Sequence, residues 1–274
     1  AKGEVYGDSS EEAMQRVQIR ETIASHFEKE RALFKRGIKT LSLFFIDEVA
    51  HYKSYNDEGE EVPGVFWKIF EEEYERILNE NISVFDDDYQ QYLRRFEPSQ
   101  VHNGYFSIDK KGRAVNSDLR RGSDLSDDIS AYDLILKNKE RLLSFDEPTR
   151  FIFSHSALRE GWDNPNVFQI CTLRHAASAI AKRQEVGRGL RICVDQNGVR
   201  MDLEELGEEQ VQDINKLTVI ANESYSTFVT DLQKETREAL RERPTKATLD
   251  YFQGKKVKSE STPGVPYTIS EQDA

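Results

Sequence analysis

Gln184-Glu-Val-Gly-Arg-Gly-Leu-Arg191 is the stretch of this chain whose residue types and spacing come nearest to an anion-binding site. Wound as a helix at about 100° per residue, Gln184, Arg188 and Arg191 fall within roughly 60° of one another. Ala179, Val186 and Leu190 fall opposite, as a face packed on other structure. Two guanidinium groups on one face repel unless an anion lies between them, and a planar, permanently charged, bidentate donor suits a phosphate chain. Gly187 leaves room for something to approach closely. The spacing alone equally allows a solvated basic helix end that pairs with Glu185 or other acids. A second stretch, Ser154-His-Ser-Ala-Leu-Arg-Glu-Gly-Trp-Asp-Asn-Pro-Asn166, follows directly on an apolar run. In open parallel sheets ligands bind beyond the carboxyl ends of the strands. Asp163 could there bond a ribose hydroxyl, while Ser156, Arg159 and the loop amides hold phosphates. An ordinary turn capped by Asp163 and Asn164 before Pro165 is the competing reading.

These residues need elements to position them. Glu11 to Arg36 has a period near 3.6, with Met14, Val17, Ile23, Phe27, Leu33 and Phe34 apolar, and Gly37 supplies a stop. Thr40 to Asp47 is almost continuously apolar, which predicts a strand buried on both faces. Phe66, Phe70, Tyr74, Ile77 and Leu78 mark one face of a second helix whose other face carries Glu71, Glu72, Glu73 and Glu75. A hairpin is expected at Tyr105 to Gly112. Further on, the pattern predicts a helix over 131–144, strands over 150–154 and 166–173, a helix over 176–190, a strand over 214–221 and a helix over 225–243. Strands alternating with helices imply a parallel sheet with right-handed crossovers.

Composition bounds the rest. The 274 residues carry a net charge of −12 with 32% charged residues, which excludes a uniformly basic nucleic-acid coat. Charge is nonetheless uneven: Arg174, Lys182, Arg183, Arg188 and Arg191 stand against the single acid Glu185. A phosphate backbone responds to such clusters within about 8–10 Å. Cys171 and Cys193 are too few for a disulfide framework, and no apolar run approaches the ~18 residues needed to span a bilayer. A reducing, cytoplasmic home without membrane attachment is the expectation. His26, His51, His102, His155 and His175 form no i, i+4 pair, so no metal ligand set is assigned.

Taken together, Ala157-Leu-Arg-Glu-Gly-Trp-Asp-Asn-Pro165 and Gln184-x-x-Gly-Arg-x-x-Arg191 resemble motifs five and six of superfamily two helicases and translocases. More narrowly, Phe151 to Leu173, Gly104 to Gly112, Gly37 to Asp47 and Leu217 to Tyr225 closely resemble the Res subunit of type III restriction endonucleases, over roughly residues 15–240. The resemblance implies an α/β fold: a RecA-like parallel sheet flanked by helices, with an α+β insertion. It implies this layout: 1–50, leading helix and first strand of a second RecA-like domain; 51–130, a family-specific insertion; 131–243, the remainder of that domain; 244–274, a linker or the start of a following domain.

It implies an ATP-driven DNA motor in which Arg188 and Arg191 are arginine fingers and Gln184 positions them. Gly161, Asp163 and Gly187 would belong to the nucleotide site. Ser156, Arg159 and Thr172 would face DNA phosphates. Independently of the resemblance, Tyr105, Phe106 and Lys110 in the hairpin could insert against DNA and Lys111 hold phosphate, with local packing beside a turn the competing reading. ATP and Mg2+ are the implied cofactors of a longer protein. Its partners would be double-stranded DNA, a first RecA-like domain, a nuclease domain and a modification methyltransferase subunit.

Departures from the pattern matter too. No Gly-x-x-x-x-Gly-Lys-Ser/Thr run exists here, and Gly254-Lys255-Lys256 lacks both the first glycine and the hydroxyl. Asp47-Glu-Val-Ala-His51 imitates an Asp-Glu-x-His motif, but with His51 one residue late a strand-end turn is the better reading. Asp109-Lys110-Lys111 has nuclease spacing but sits in the expected hairpin turn. The chain alone is therefore expected to be inactive. The alternative is a non-catalytic DNA-binding or adaptor module of RecA-like shape.

Overall fold

The computed structural model describes residues 8–81, 87–108, 113–116, 141–155, 164–174, 179–221, 223–241, 256–258 and 266–268. The chain divides into two compact units, Ala1–Asn222 and Glu223–Ala274. In the first, α1 (Asp8–Phe34) buries Ile19, Ile23, Phe27 and Leu33. It ends as the sequence dictates. Gly37 takes φ +69°, its amide donates to the Phe34 carbonyl, and Ile38 donates to Leu33, the paired bonds of a Schellman stop.

Next come β1 (Leu41–Phe45), a short helix α2 (Val49–Tyr52), a hairpin of β2 (Lys53–Tyr55) with β3 (Glu61–Pro63), and α3 (Val65–Asn81). After α4 (Asp88–Arg94), β4 (His102–Tyr105) runs into a small hairpin of β5 (Ser107–Ile108) and β6 (Ala114–Val115). Strands β7 (Phe151–Ser154) and β8 (Val167–Thr172) lead to α5 (Ala179–Gly187), α6 (Leu203–Ile214) and β9 (Thr218–Ile220).

Five of these strands form one parallel sheet in the order β4-β7-β1-β8-β9. This is the α/β arrangement expected, consistent with a RecA-like fold. Strand β1 is central, with Leu43 opposite Ile152 on one side and Ile170 on the other. Its residues are buried throughout because both sheet faces are covered. One face stacks Phe44 on Phe153, ring centroids 4.5 Å apart, beneath α1 and α3. The other gathers Leu41, Leu43, Phe45, Ile152 and Ile170.

Several expectations change. Tyr105 lies in β4 of the main sheet, because pairing with Ser154 on β7 satisfies its backbone better than an isolated hairpin would. The antiparallel pair that does form joins β5 to β6, and Lys110 and Lys111 lie outside the described residues. Residues 51–130 contribute the edge strand β4 and the core helix α3 to this unit. Helix α6 was not foreseen. Asp202 caps it by accepting from the Glu204 and Glu205 amides, Gly207 kinks it at φ +75°, and Leu206 and Ile214 pack against Leu33, Met201 and Cys193. Ile214 therefore closes a helix, and the last strand begins only at Thr218. Of the helix expected over 131–144, only a 3-10 turn at Arg141–Leu143 falls within the described residues.

The second unit contains α7 (Glu223–Arg241) and an antiparallel pair, β10 (Lys256–Lys258) with β11 (Pro266–Thr268). The helix expected over 225–243 is thus present, and the segment read as a linker or the start of a following domain holds the β10–β11 pair.

Candidate functional site

The carboxyl ends of β1, β7 and β8 converge with α5. Register pairs Phe45 with both Ser154 and Thr172, so the three strands finish level. Beyond β8, Arg174 is the organising side chain. Its guanidinium donates to the His155 carbonyl at 3.0 Å and to the Glu185 carboxylate, and it lies over the Phe45 ring at 5.8 Å. Glu185 is fully buried and also accepts from the Thr172 hydroxyl at 3.3 Å. Burial, and then the neighbouring Arg174 charge, hold the His155 imidazole below its ordinary value. Beside it, Asp47 receives the Glu48 amide and lies 2.6 Å from His51 Nδ1, so this acid closes a strand-end turn.

Helix α5 stops at Gly187 and tightens into a turn, with Arg188 donating to Glu185 and Gly189 to Val186. The common face expected for Gln184, Arg188 and Arg191 therefore does not extend to Arg191, because helical rotation ends first. Gln184 is exposed, Arg188 is half-buried, and Leu190, expected on the packed face, is 62% exposed. Val186 does pack inward. Arg191 folds back, donating to the Gly187 carbonyl at 3.1 Å and to the Arg188 carbonyl at 2.7 Å. It thus satisfies orphan acceptors at the negative end of α5. A methyl group on Gly187 would meet nothing within 4 Å, so this end is open. On Gly189 it would come within 2.4 Å of Leu217, which lets the chain cross tightly over the sheet.

Of the residues singled out from sequence, the structure thus gathers Gln184, Gly187, Arg188 and Arg191 at one helix end. Thr172, expected to face DNA, is 2% exposed with its hydroxyl turned to Glu185, because it ends a strand beneath α5. Ser156, Arg159, Gly161, Asp163, Lys110 and Lys111 lie outside the described residues. Among the described residues no group of three or more His, Cys, Asp or Glu side chains could hold a metal ion, and no helix is long and apolar enough to cross a membrane. Sequence reasoning missed Arg174 and Glu185 as a pair. The available signal was that Glu185 is the single acid in a basic stretch and adjoins Val186 on the inward side.

No family model matches the chain. It is 44% identical over 183 residues to the EcoPI Res subunit, a type III restriction-modification enzyme subunit of Escherichia phage P1, a match covering 65% of this chain and 17% of that protein. It is 40% identical over 223 residues to the StyLTI Res subunit of Salmonella typhimurium, covering 70% of this chain and 20% of that protein. The chain spans about a fifth of the length of the curated relatives it matches.

Proposed function

We propose that this chain, similar over most of its length to type III Res subunits, is the second motor domain of an ATP-dependent DNA translocase within a restriction enzyme. The observation that carries the reading is the open end of α5, where Gln184, Gly187, Arg188 and Arg191 meet beyond a parallel sheet. Space is free at Gly187, and the adjoining guanidinium groups would offset the negative helix end enough to receive a polyphosphate. The phosphate cradle itself would come from another domain, since no phosphate-loop run occurs here.

ATP, when bound, supplies a phosphoryl group whose transfer to water spreads negative charge over its oxygens. Arg188 would stabilise that charge from across the cleft. Arg191 would exchange its two carbonyl acceptors for phosphate oxygens or hold the helix end that presents Arg188. Gln184 would orient the same end, with Gly161 and Asp163 completing the nucleotide contacts. Ser156 and Arg159 would face DNA, and Lys110 and Lys111 would add phosphate contacts. Magnesium would be held largely by groups outside this chain. The larger protein would act on double-stranded DNA in the cytoplasm, together with a methyltransferase subunit and its own nuclease domain.

The test is DNA-stimulated ATP turnover by the full-length protein. Arg188→Ala should reduce it by about 10³–10⁵-fold, the range of an arginine finger. Unchanged turnover with DNA affinity intact would overturn the motor reading in favour of a non-catalytic DNA-binding module. The chain by itself should turn over no ATP.

A further inference from the structure

The buried Glu185 carboxylate has no counterpart in the phosphate-binding role given to its neighbours. It lies one helical turn before Arg188 and next to Gln184, but it is fully buried where Gln184 is exposed. A carboxylate withdrawn from water persists only where cationic and hydrogen-bonding partners replace its hydration. Those partners are the Arg174 guanidinium and the Thr172 hydroxyl, both at the end of β8. Arg174 continues the chain of contacts to the His155 carbonyl at the end of β7 and to the Phe45 ring at the end of β1. His155 leads directly into residues 156–163, the segment read as the nucleotide and DNA contact. The ion pair, together with Arg174's bond to His155 and its stack on Phe45, therefore ties the arginine-bearing helix to all three strand ends.

We propose that Glu185 and Arg174 are positioning residues: their buried pair fixes how α5 presents Arg188. The geometry favours this over a general packing role. The pair spans only the connection from β8 to α5, whereas the core beneath is already held by the aromatic cluster of β1, β7, α1 and α3. The planar guanidinium holds its donors in fixed directions, one nitrogen bonding Glu185 and another the His155 carbonyl, so Arg174 sets an orientation as well as a distance. The inference rests on the motor reading for its functional half and on the contacts alone for its structural half.

The experiment uses the full-length protein with Glu185→Gln, Arg174→Ala, Arg174→Lys and Arg188→Ala. Two readouts are taken: hydrogen exchange of amides 183–189 without nucleotide, and kcat and KM for DNA-stimulated ATP turnover. Glu185→Gln and Arg174→Ala should each speed exchange in that segment at least tenfold, while exchange in β1 stays unchanged. Each should lower kcat at least tenfold and change KM for ATP less than threefold. Arg174→Lys, which keeps the charge but lacks two donors in fixed directions for Glu185 and the His155 carbonyl, should recover only part of kcat. If exchange in 183–189 is unaltered, the clamp itself is overturned. If exchange rises but kcat holds while Arg188→Ala abolishes turnover, the pair is merely structural and the proposal falls. If Arg188→Ala leaves turnover intact, the motor reading fails, and with it the coupling to Arg188.

Discussion

Arg150 donates from its guanidinium to Glu30 Oε2 at 2.7 Å, and both side chains are withdrawn from solvent, at 1% and 0% exposure. This pair joins the start of β7 to α1 and anchors a buried polar chain. Arg150 also reaches the Tyr74 hydroxyl, Tyr89 donates to Glu30 at 3.1 Å, and His26 bridges Glu30 to Ser42, which in turn donates to Gln169 at 3.0 Å. The rings of Phe27, Tyr74, Tyr92 and Phe151 surround the guanidinium within 6.0 Å. Helices α1, α3 and α4, strands β1 and β8, and the residue that opens β7 thus share one charge network beneath the sheet face that carries α1.

Removing one partner of this pair should be costly. Glu30→Gln strands a buried guanidinium and should lower unfolding stability by about 3–5 kcal/mol. Replacing both ends by apolar residues, as in Glu30→Leu with Arg150→Met, should recover most of that loss. Urea unfolding at pH 7 measures both; equal losses for the single and double variants would contradict the assignment.

The same network sets an acid limit. Burial alone would raise the Glu30 carboxyl, but Arg150 and then His26 outweigh it and hold the group at about 2, below its ordinary 4.5. A carboxyl depressed on folding contributes stability that is complete above 4.5 and is lost as pH falls toward 2. Burial outweighs Glu30 and holds the His26 imidazole below its ordinary 6.5, which adds to the loss as pH falls under 6.5. Stability measured from pH 6 to 3 should fall more steeply for the parent protein than for Glu30→Gln.

Lys39 predicts the opposite limb. It is fully buried just before β1 and donates to the carbonyls of Ser144 and Glu147. Burial pushes its ammonium from 10.5 down to about 7. A lysine depressed on folding disfavours the folded state below pH 7 and relaxes that penalty as pH rises toward 10.5. Relative to Lys39→Met, the parent should gain stability between pH 7 and pH 10. Parallel curves for the two proteins would refute this.

The two glycines of the helix end should respond differently. Gly187→Ala fills open space at a helical position, so stability should rise by about 0.5–1 kcal/mol. Under the proposed function, ATP turnover should drop as the added methyl crowds the approach. Gly189→Ala drives a methyl within 2.4 Å of Leu217 and 3.3 Å of Ile170, and should destabilise by about 1–3 kcal/mol. Thermal melts and turnover of both variants decide the matter.

Arg191 should reveal its capping role in exchange kinetics. Arg191→Ala removes donors to the Gly187 and Arg188 carbonyls and should cost about 0.5–1.5 kcal/mol locally. The Arg188 and Gly189 amides, bonded to Glu185 and Val186, should exchange faster. Unchanged protection would show that the cap is dispensable.

The sequence by itself determined the layered α/β plan. Continuous apolar runs at Leu41–Phe45, Phe151–Ser154 and Val167–Thr172 can be satisfied only by a sheet covered on both faces, and Gly37 marks where α1 must stop. The motif residues at 184–191 were legible because charge type and spacing are local properties. What the tertiary structure decided is non-local. Strand β4 finds its place beside β7, and α6 is stabilised by contacts with Leu33 and Met201 across the chain. Nothing in the period of residues 184–191 says that the helix ends at Gly187 or that Arg191 turns back onto it. Nor does spacing reveal that Glu185 and Thr172 face each other, since that depends on how α5 lies over the end of β8. Side-chain direction at a strand end is fixed by packing and by the need to satisfy buried polar groups. Only the assembled sheet supplies those partners.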